Sequence, residues 1–192
     1  MGRTIPNWCN NGVTLRHSDP KMIDRVIQGK DGLLMEFLPT PQELVDTVSG
    51  WMGADKQAAH EAQQAANVEK YGFKDWYDWN INNWGTKWDF ALDSVERTDS
   101  YTVKASFESA WSPPITAYER LEALGFEVEA MYYEPGMCFV GMYVNGVDEC
   151  IEYGGYTSET VREAIGEELD DYFGISEQMA EYEEENKEEE NE

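Results

Sequence analysis

The sequence is short of bases, histidines, cysteines and long apolar runs. Only 14 Lys and Arg stand against 39 Asp and Glu in 192 residues, a formal charge of −25. A surface that negative repels phosphate backbones, so direct nucleic-acid binding is not expected and a partner is expected to be basic. No segment approaches the roughly 20 apolar residues that a membrane-spanning helix needs. The start, Met1-Gly2-Arg3-Thr4-Ile5-Pro6, also lacks the apolar core of an export signal. No membrane association and a cytoplasmic location are therefore expected. Cys9, Cys138 and Cys150 are odd in number and have no Cys-x-x-Cys spacing, so reduced thiols without a cluster or other cofactor are expected. His17 and His60 form no metal-binding spacing and there is no Asp-x-Asp-x-Asp-Gly loop, so no metal site is expected.

What the chain does have is enough apolar material to build a core: 41% hydrophobic and 13% aromatic residues. Its length suits one domain with an inserted segment. Gly12 to His17 alternates as a half-buried strand, and Ser18 is positioned to cap a helix with Met22, Ile23, Val26 and Ile27 on one face. Leu33 to Leu38 reads as a second strand. Residues 42–89 interrupt the pattern. They hold an Ala/Gln/Glu-rich stretch, 54–70, of good helix propensity but with no apolar stripe, and then four tryptophans, Trp76, Trp79, Trp84 and Trp88, that must dock on something. Phe90 to Val95 and Tyr101 to Phe107 predict a hairpin. Ser112-Pro113-Pro114 predicts a helix start, with Ile115, Tyr118, Leu121 and Leu124 repeating up to Gly125. Two further strands, to Tyr132 and over 137–144, lead through Asn145-Gly146 to a third, and Ser158 precedes a helix facing inward with Val161, Ile165, Leu169 and Phe173.

Without the insert, the order is strand-helix-strand twice over. This is the split βαβ arrangement of a ferredoxin-like α+β fold: an antiparallel sheet with helices on one face, plus a C-terminal helix. The name denotes a topology and no cofactor. One domain over 1–175 is expected, with a disordered acidic tail over 176–192.

Five strings occur in order: Pro6-Asn7-Trp8-Cys9-Asn10-Asn11, Leu38-Pro39-Thr40-Pro41, Asn83-Trp84-Gly85-Thr86-Lys87-Trp88-Asp89, Ala110-Trp111-Ser112-Pro113-Pro114 and Tyr133-Glu134-Pro135-Gly136. Together they resemble the Api92-like family of bacteriophage and plasmid proteins, also described with a YubB-type ferredoxin-like domain. The resemblance implies the fold and a mobile-element origin. It implies no established activity and transfers no catalytic residue.

Two sets of candidate residues follow. Lys87 between Trp84 and Trp88, with Asp89, Trp111 and Ser112 nearby, could orient an anionic, nucleotide-like ligand by stacking and charge. The alternative is that these aromatics are core and the Lys and Asp satisfy buried polar groups. Glu127, Glu129, Glu134, Asp148, Glu152, Glu167, Asp170 and Asp171 could together imitate a phosphate array and occupy a basic groove. The alternative there is plain solubility. Cys9 has no base at motif spacing, so no catalytic residue is nominated and an enzyme is not the favoured expectation. The leading expectation is a mobile-element accessory protein that binds a basic host protein, inhibiting a defence or nucleic-acid-handling system, possible by DNA mimicry. A nucleotide-like ligand binder and a hydrolase using paired carboxylates are the alternatives.

Overall fold

The computed structural model describes residues 7–189. The first strand, β1 (Trp8–Arg16), buries alternate residues and becomes the centre of the sheet. Helix α1 (Pro20–Gln28) follows with Pro20 at its first position and Asp19, one residue later than expected, as its cap: the Asp19 carboxylate accepts from the Lys21 N–H. Ile23 and Val26 of α1 are fully buried.

Residues 33–38, expected as a strand, form helix α2 (Leu33–Phe37) instead. Leu33, Leu34 and Phe37 bury on one side of a short turn, and a short apolar run fits helix or strand equally well until its neighbours are known. The inserted segment therefore begins directly after α1. It continues with α3 (Gln42–Val45), α4 (Gln57–Tyr71) and α5 (Trp76–Trp84). As its composition predicts, α4 packs little: Asn67 is its one buried residue.

The hairpin β2 (Ser94–Arg97) and β3 (Thr102–Ala110) then returns the chain to the sheet. Helix α6 (Ile115–Ala123) starts after Pro114, with no side-chain cap from Ser112. Strands β4 (Glu127–Glu134), β5 (Phe139–Val144) and β6 (Val147–Glu152) complete the sheet, in the order β2-β3-β1-β4-β5-β6. Every neighbouring pair is antiparallel, and the register runs from Trp8 opposite Ala110 to Arg16 opposite Thr102. The elements β1-α1-β2-β3-α6-β4 with β2-β3-β1-β4 adjacent are the ferredoxin-like split βαβ unit, extended by a β5–β6 hairpin.

The first face of the sheet carries the larger core. There α1, α2, α5 and α6 place Ile23, Phe37, Trp84 and Tyr118 on Val13, Val103, Val128 and their neighbours. Phe90 and Phe107 stack at 3.8 Å within it.

The helices of the split βαβ unit thus lie on one face. The C-terminal ones lie on the other: α7 (Val161–Ile165), α8 (Glu167–Phe173) and α9 (Ile175–Glu189). Val161, Ile165, Leu169 and Ile175 cover Tyr133 and Val140 with Met131, Met142 and Ile151 around them. Gly166, at φ +89°, divides what periodicity predicted as one helix. Residues from 176 onward, expected to be disordered, continue as α9 as far as Glu189. Burial of Ile175 and packing of Met179 anchor its first turns, which composition alone did not reveal.

The C-terminal helices leave part of this second face open along β1, β3 and β2. At its border Tyr172 lies over Gly12, where any Cβ would strike the phenol ring. Glycine is needed there because another side chain occupies the space a methyl would fill.

Candidate functional site

The tryptophan cluster divides into buried and exposed parts. Trp84 is buried, donates its indole N–H to the Leu38 carbonyl at 2.9 Å and meets Trp79 edge to face. Asp89 is consumed as a helix cap. Its Oδ1 accepts from the Leu34 and Phe90 N–H groups at 2.9 and 2.8 Å, and its Oδ2 accepts from the Met35 N–H at 2.9 Å. For these two residues the contacts match the structural alternative, a core aromatic and a carboxylate that satisfies backbone N–H groups. Ser112 is half-buried, with its carbonyl accepting from the Ser109 hydroxyl.

Trp84, Lys87, Trp88 and Asp89 nonetheless line one 320 Å³ cavity, with Trp111 stacked on Trp88. The Trp88 and Trp111 rings stack at 5.9 Å, and the Lys87 ammonium sits 4.6 Å from the Trp88 centroid. Trp111 holds a left-handed backbone conformation, φ +66°, that is unusual for a large residue. A buried chain of hydrogen bonds steadies the strands beside it: Tyr118 donates to Asn11, and Asn11 donates to Ser109. The adjoining Trp111 N–H donates to the Asn7 carbonyl.

The carboxylates nominated as a partner surface also divide. Glu134 is 1% exposed, and its two oxygens accept from the Gly136 and Met137 N–H groups in the β4–β5 turn. Asp170 is 2% exposed and accepts from the Ser176 N–H and hydroxyl and from Arg162. Burial by itself would raise the Asp170 carboxyl, but these hydrogen bonds and the Arg162 charge outweigh it and hold its pKa below the usual range. Neither residue has an oxygen free for a partner. Glu129 pairs with Arg16 at 2.6 Å, Asp171 with Arg162 at 2.6 Å, and Asp148 accepts from the Tyr132 hydroxyl. Glu127, Glu152 and Glu167 are exposed.

These residues belong to a larger asymmetry. From Leu121 to Asn186 there are eighteen Asp and Glu and a single base, Arg162, so this stretch carries −17 of the chain's −25. It builds β4 to β6 and α7 to α9, and β6 is one of the two edge strands of the sheet, exposed over almost its whole length. On α9, Glu177, Glu181, Glu184 and Glu185 are exposed. Four charges spanning about 12 Å of helix axis are spaced ~4 Å apart on average, near the ~3.4 Å of a single DNA strand.

A trough that the sequence did not signal runs along the open part of the second face, formed by three cavities end to end. One of 450 Å³ lies over Gly12 and Thr14, beside Tyr172, with Lys104 and Glu96 at its margin. The next, 440 Å³, is lined by Asn10, Asp93, Glu108, Tyr133 and Tyr172. The last, 250 Å³, lies among Trp8, Trp88, Asp93 and Glu108. Trp8, Asp93, Glu108 and Tyr172 were all missed. Continuing the alternation of β1 back from Gly12 through Asn10 to Trp8 would have placed Trp8 on this face. Nothing local could have brought Asp93 or Tyr172 to it.

Cys9 is fully buried and burial pushes its thiol up to about 12, so it is not an activated nucleophile. Among the described residues no three His, Cys, Asp or Glu side chains converge as metal ligands. No described helix is long and apolar enough to cross a membrane.

No protein-family model matches the sequence, and no curated protein matches it. Among solved structures, the chain resembles the crystal structure of the protein Api92 from Yersinia pseudotuberculosis. Identity is 12%, the match covers 79% of this chain and 99% of that one, and the TM-score is 0.44. At that level the likeness adds nothing to the residue-by-residue reading of the site, which rests on the geometry alone.

Proposed function

We propose that this protein acts by binding, with the anionic surface of β6 and α7–α9 docking on a basic surface of another protein. The observation that carries the proposal is the concentration of eighteen carboxylates against one arginine between residues 121 and 186. Such a field steers a basic partner toward the site and repels acidic competitors. Because the charge spacing on α9 approaches that of a nucleic-acid strand, the partner class it fits best is a nucleic-acid-handling protein, whose groove the helix would occupy in place of phosphate. A host protein of a phage or plasmid, as the five sequence strings imply, is the setting proposed for it. The acidity of β6 also serves a second purpose, since charge on a free edge strand discourages edge-to-edge aggregation. The nucleotide-like alternative loses support once Trp84 and Asp89 are assigned to structure.

The test compares the wild-type protein with a variant carrying Glu163→Gln, Glu167→Gln, Glu177→Gln and Glu181→Gln, all at exposed positions. Each is immobilised and challenged with host proteins. The expected result is a set of basic proteins retained by the wild type and not by the folded variant, displaced by added DNA, and released as salt rises. Between 0.1 and 1 M salt the screening length falls from about 10 Å to about 3 Å. Equal retention by both forms, or retention indifferent to salt, would overturn the proposal.

A further inference from the structure

The 250 Å³ end of the trough has a chemistry of its own. Its walls include the indoles of Trp8 and Trp88, which are 42% and 40% exposed although both are large apolar groups. Trp8 points from β1 onto the second face, level with Ala110 of β3. Trp88 comes from the loop after α5 and already carries the stacked Trp111 ring and the Lys87 ammonium, 4.6 Å from its centroid, so it walls the cavity. Trp8, with no aromatic or cation partner among the described residues, offers the indole face for a cation. Between the indoles and the next cavity stand Asp93 and Glu108, which line both. Among the described residues neither carboxylate forms an ion pair or a side-chain hydrogen bond, and both are exposed. Asp89, which also borders the cavity, is fully used as the α2 cap.

We propose that this pocket receives an arginine side chain from an extended, basic peptide segment lying along the trough. Indole faces attract cations. A guanidinium is planar and weakly hydrated, so it can stack on an indole while its N–H fork meets a carboxylate. An uncharged apolar group would leave Asp93 and Glu108 desolvated without a partner. A stacked nucleobase would bring a phosphate toward the same two carboxylates. The remainder of the trough offers an extended chain a path beside β1 and β3, with Tyr133 and Gln178 along it and Glu96, Glu129 and Glu168 at its far end. This deepens the proposed function and rests on it for the source of the arginine, because it says where a segment of a basic partner would thread.

The test uses synthetic peptides on the full-length protein, so the pocket is probed without the natural partner. A short glycine- and serine-rich peptide with one central arginine is titrated while the indole N–H resonances of Trp8 and Trp88 are followed. Matching peptides carry lysine or citrulline, which has the shape of arginine without its charge. The arginine peptide is expected to shift both resonances saturably. Citrulline should weaken binding at least about fivefold and lysine at least about twofold. Glu108→Gln and Trp8→Leu, both at exposed positions, should each weaken the arginine peptide at least about fivefold with the thermal midpoint unchanged. Equal binding of the citrulline or lysine peptide, or no effect of either substitution, would overturn the pocket. Shifts confined to β6 and α7–α9 would overturn it as well, while leaving the broader anionic-surface proposal standing.

Discussion

Replacing Asp89 with alanine removes the acceptor for three backbone N–H groups at once, those of Leu34, Met35 and Phe90. Two of them belong to the first turn of α2, whose Gly32 cap offers no side chain. Losing an ordinary helix cap costs about 1 kcal/mol, and hydrogen bonds to a charged group are worth ~1.5–3 kcal/mol each in isolation. Because α2 carries Leu33, Leu34 and Phe37 into the core, the freed N–H groups cannot all turn to water without disturbing that packing. The expected loss is about 2–3 kcal/mol, or a fall in thermal midpoint of about 5–10 °C for a chain of this size. Asp89→Asn keeps one acceptor oxygen and should lose about half as much. Urea titrations followed by circular dichroism, with the midpoint shifting and the slope constant, measure both. If Asp89→Ala unfolds within about 1 °C of the wild type, the cap assignment fails and Asp89 is free for the ligand role that its position between Trp88 and the cavities invites.

Other expectations follow from the same geometry. With mild alkylation of the native protein, exposed Cys150 should label first and half-buried Cys138 more slowly, while Cys9, its thiol raised to about 12, should label only on unfolding; mass spectrometry of timed samples reads this, and early labelling of Cys9 refutes its burial. Asp170 has a folded pKa below its unfolded value, so the stability it contributes is present above about pH 4 and is lost as pH falls through the folded value. The stability gap between wild type and Asp170→Asn should therefore be constant at pH 5 to 7 and narrow below about pH 4, and a gap of unchanged size at pH 3 contradicts the depression. Truncation after Asn186 should leave stability unchanged, whereas truncation after Gly174 removes buried Ile175 and packed Met179 and should cost about 2–4 kcal/mol.

Local patterns were informative where one side of an element is buried and the other solvated. The alternation of 101–107, the one-sided apolar stripe of α1 and the Asn145-Gly146 hairpin each carry their own period or turn chemistry, so strands and helices there were legible. The run 33–38 was not: five or six apolar residues satisfy either period, and the second strand of the split βαβ unit turned out to be Ser94–Arg97, one of the least buried in the sheet. The glutamates of α9 likewise hid a helix, because their composition matches a disordered tail, and only the docking of Ile175 and Met179 on α7 and β5 resolves the difference.

The sequence by itself determined the net charge, its lopsided placement toward the C-terminus, the α+β class and most of the strands, because each depends on composition or on spacing within a few residues. Only the tertiary structure decided which acidic groups are spent inside the molecule. Glu134, Asp170 and Asp89 look like surface charges in the sequence, yet each is aimed at backbone N–H groups, and the chain segments Asp89 and Asp170 satisfy were not predictable from their neighbours. The trough has the same origin. Trp8, Trp88, Asp93 and Glu108 come from separate stretches of chain, and what unites them is strand register and helix docking, quantities fixed by packing across the whole sheet and by no local signal.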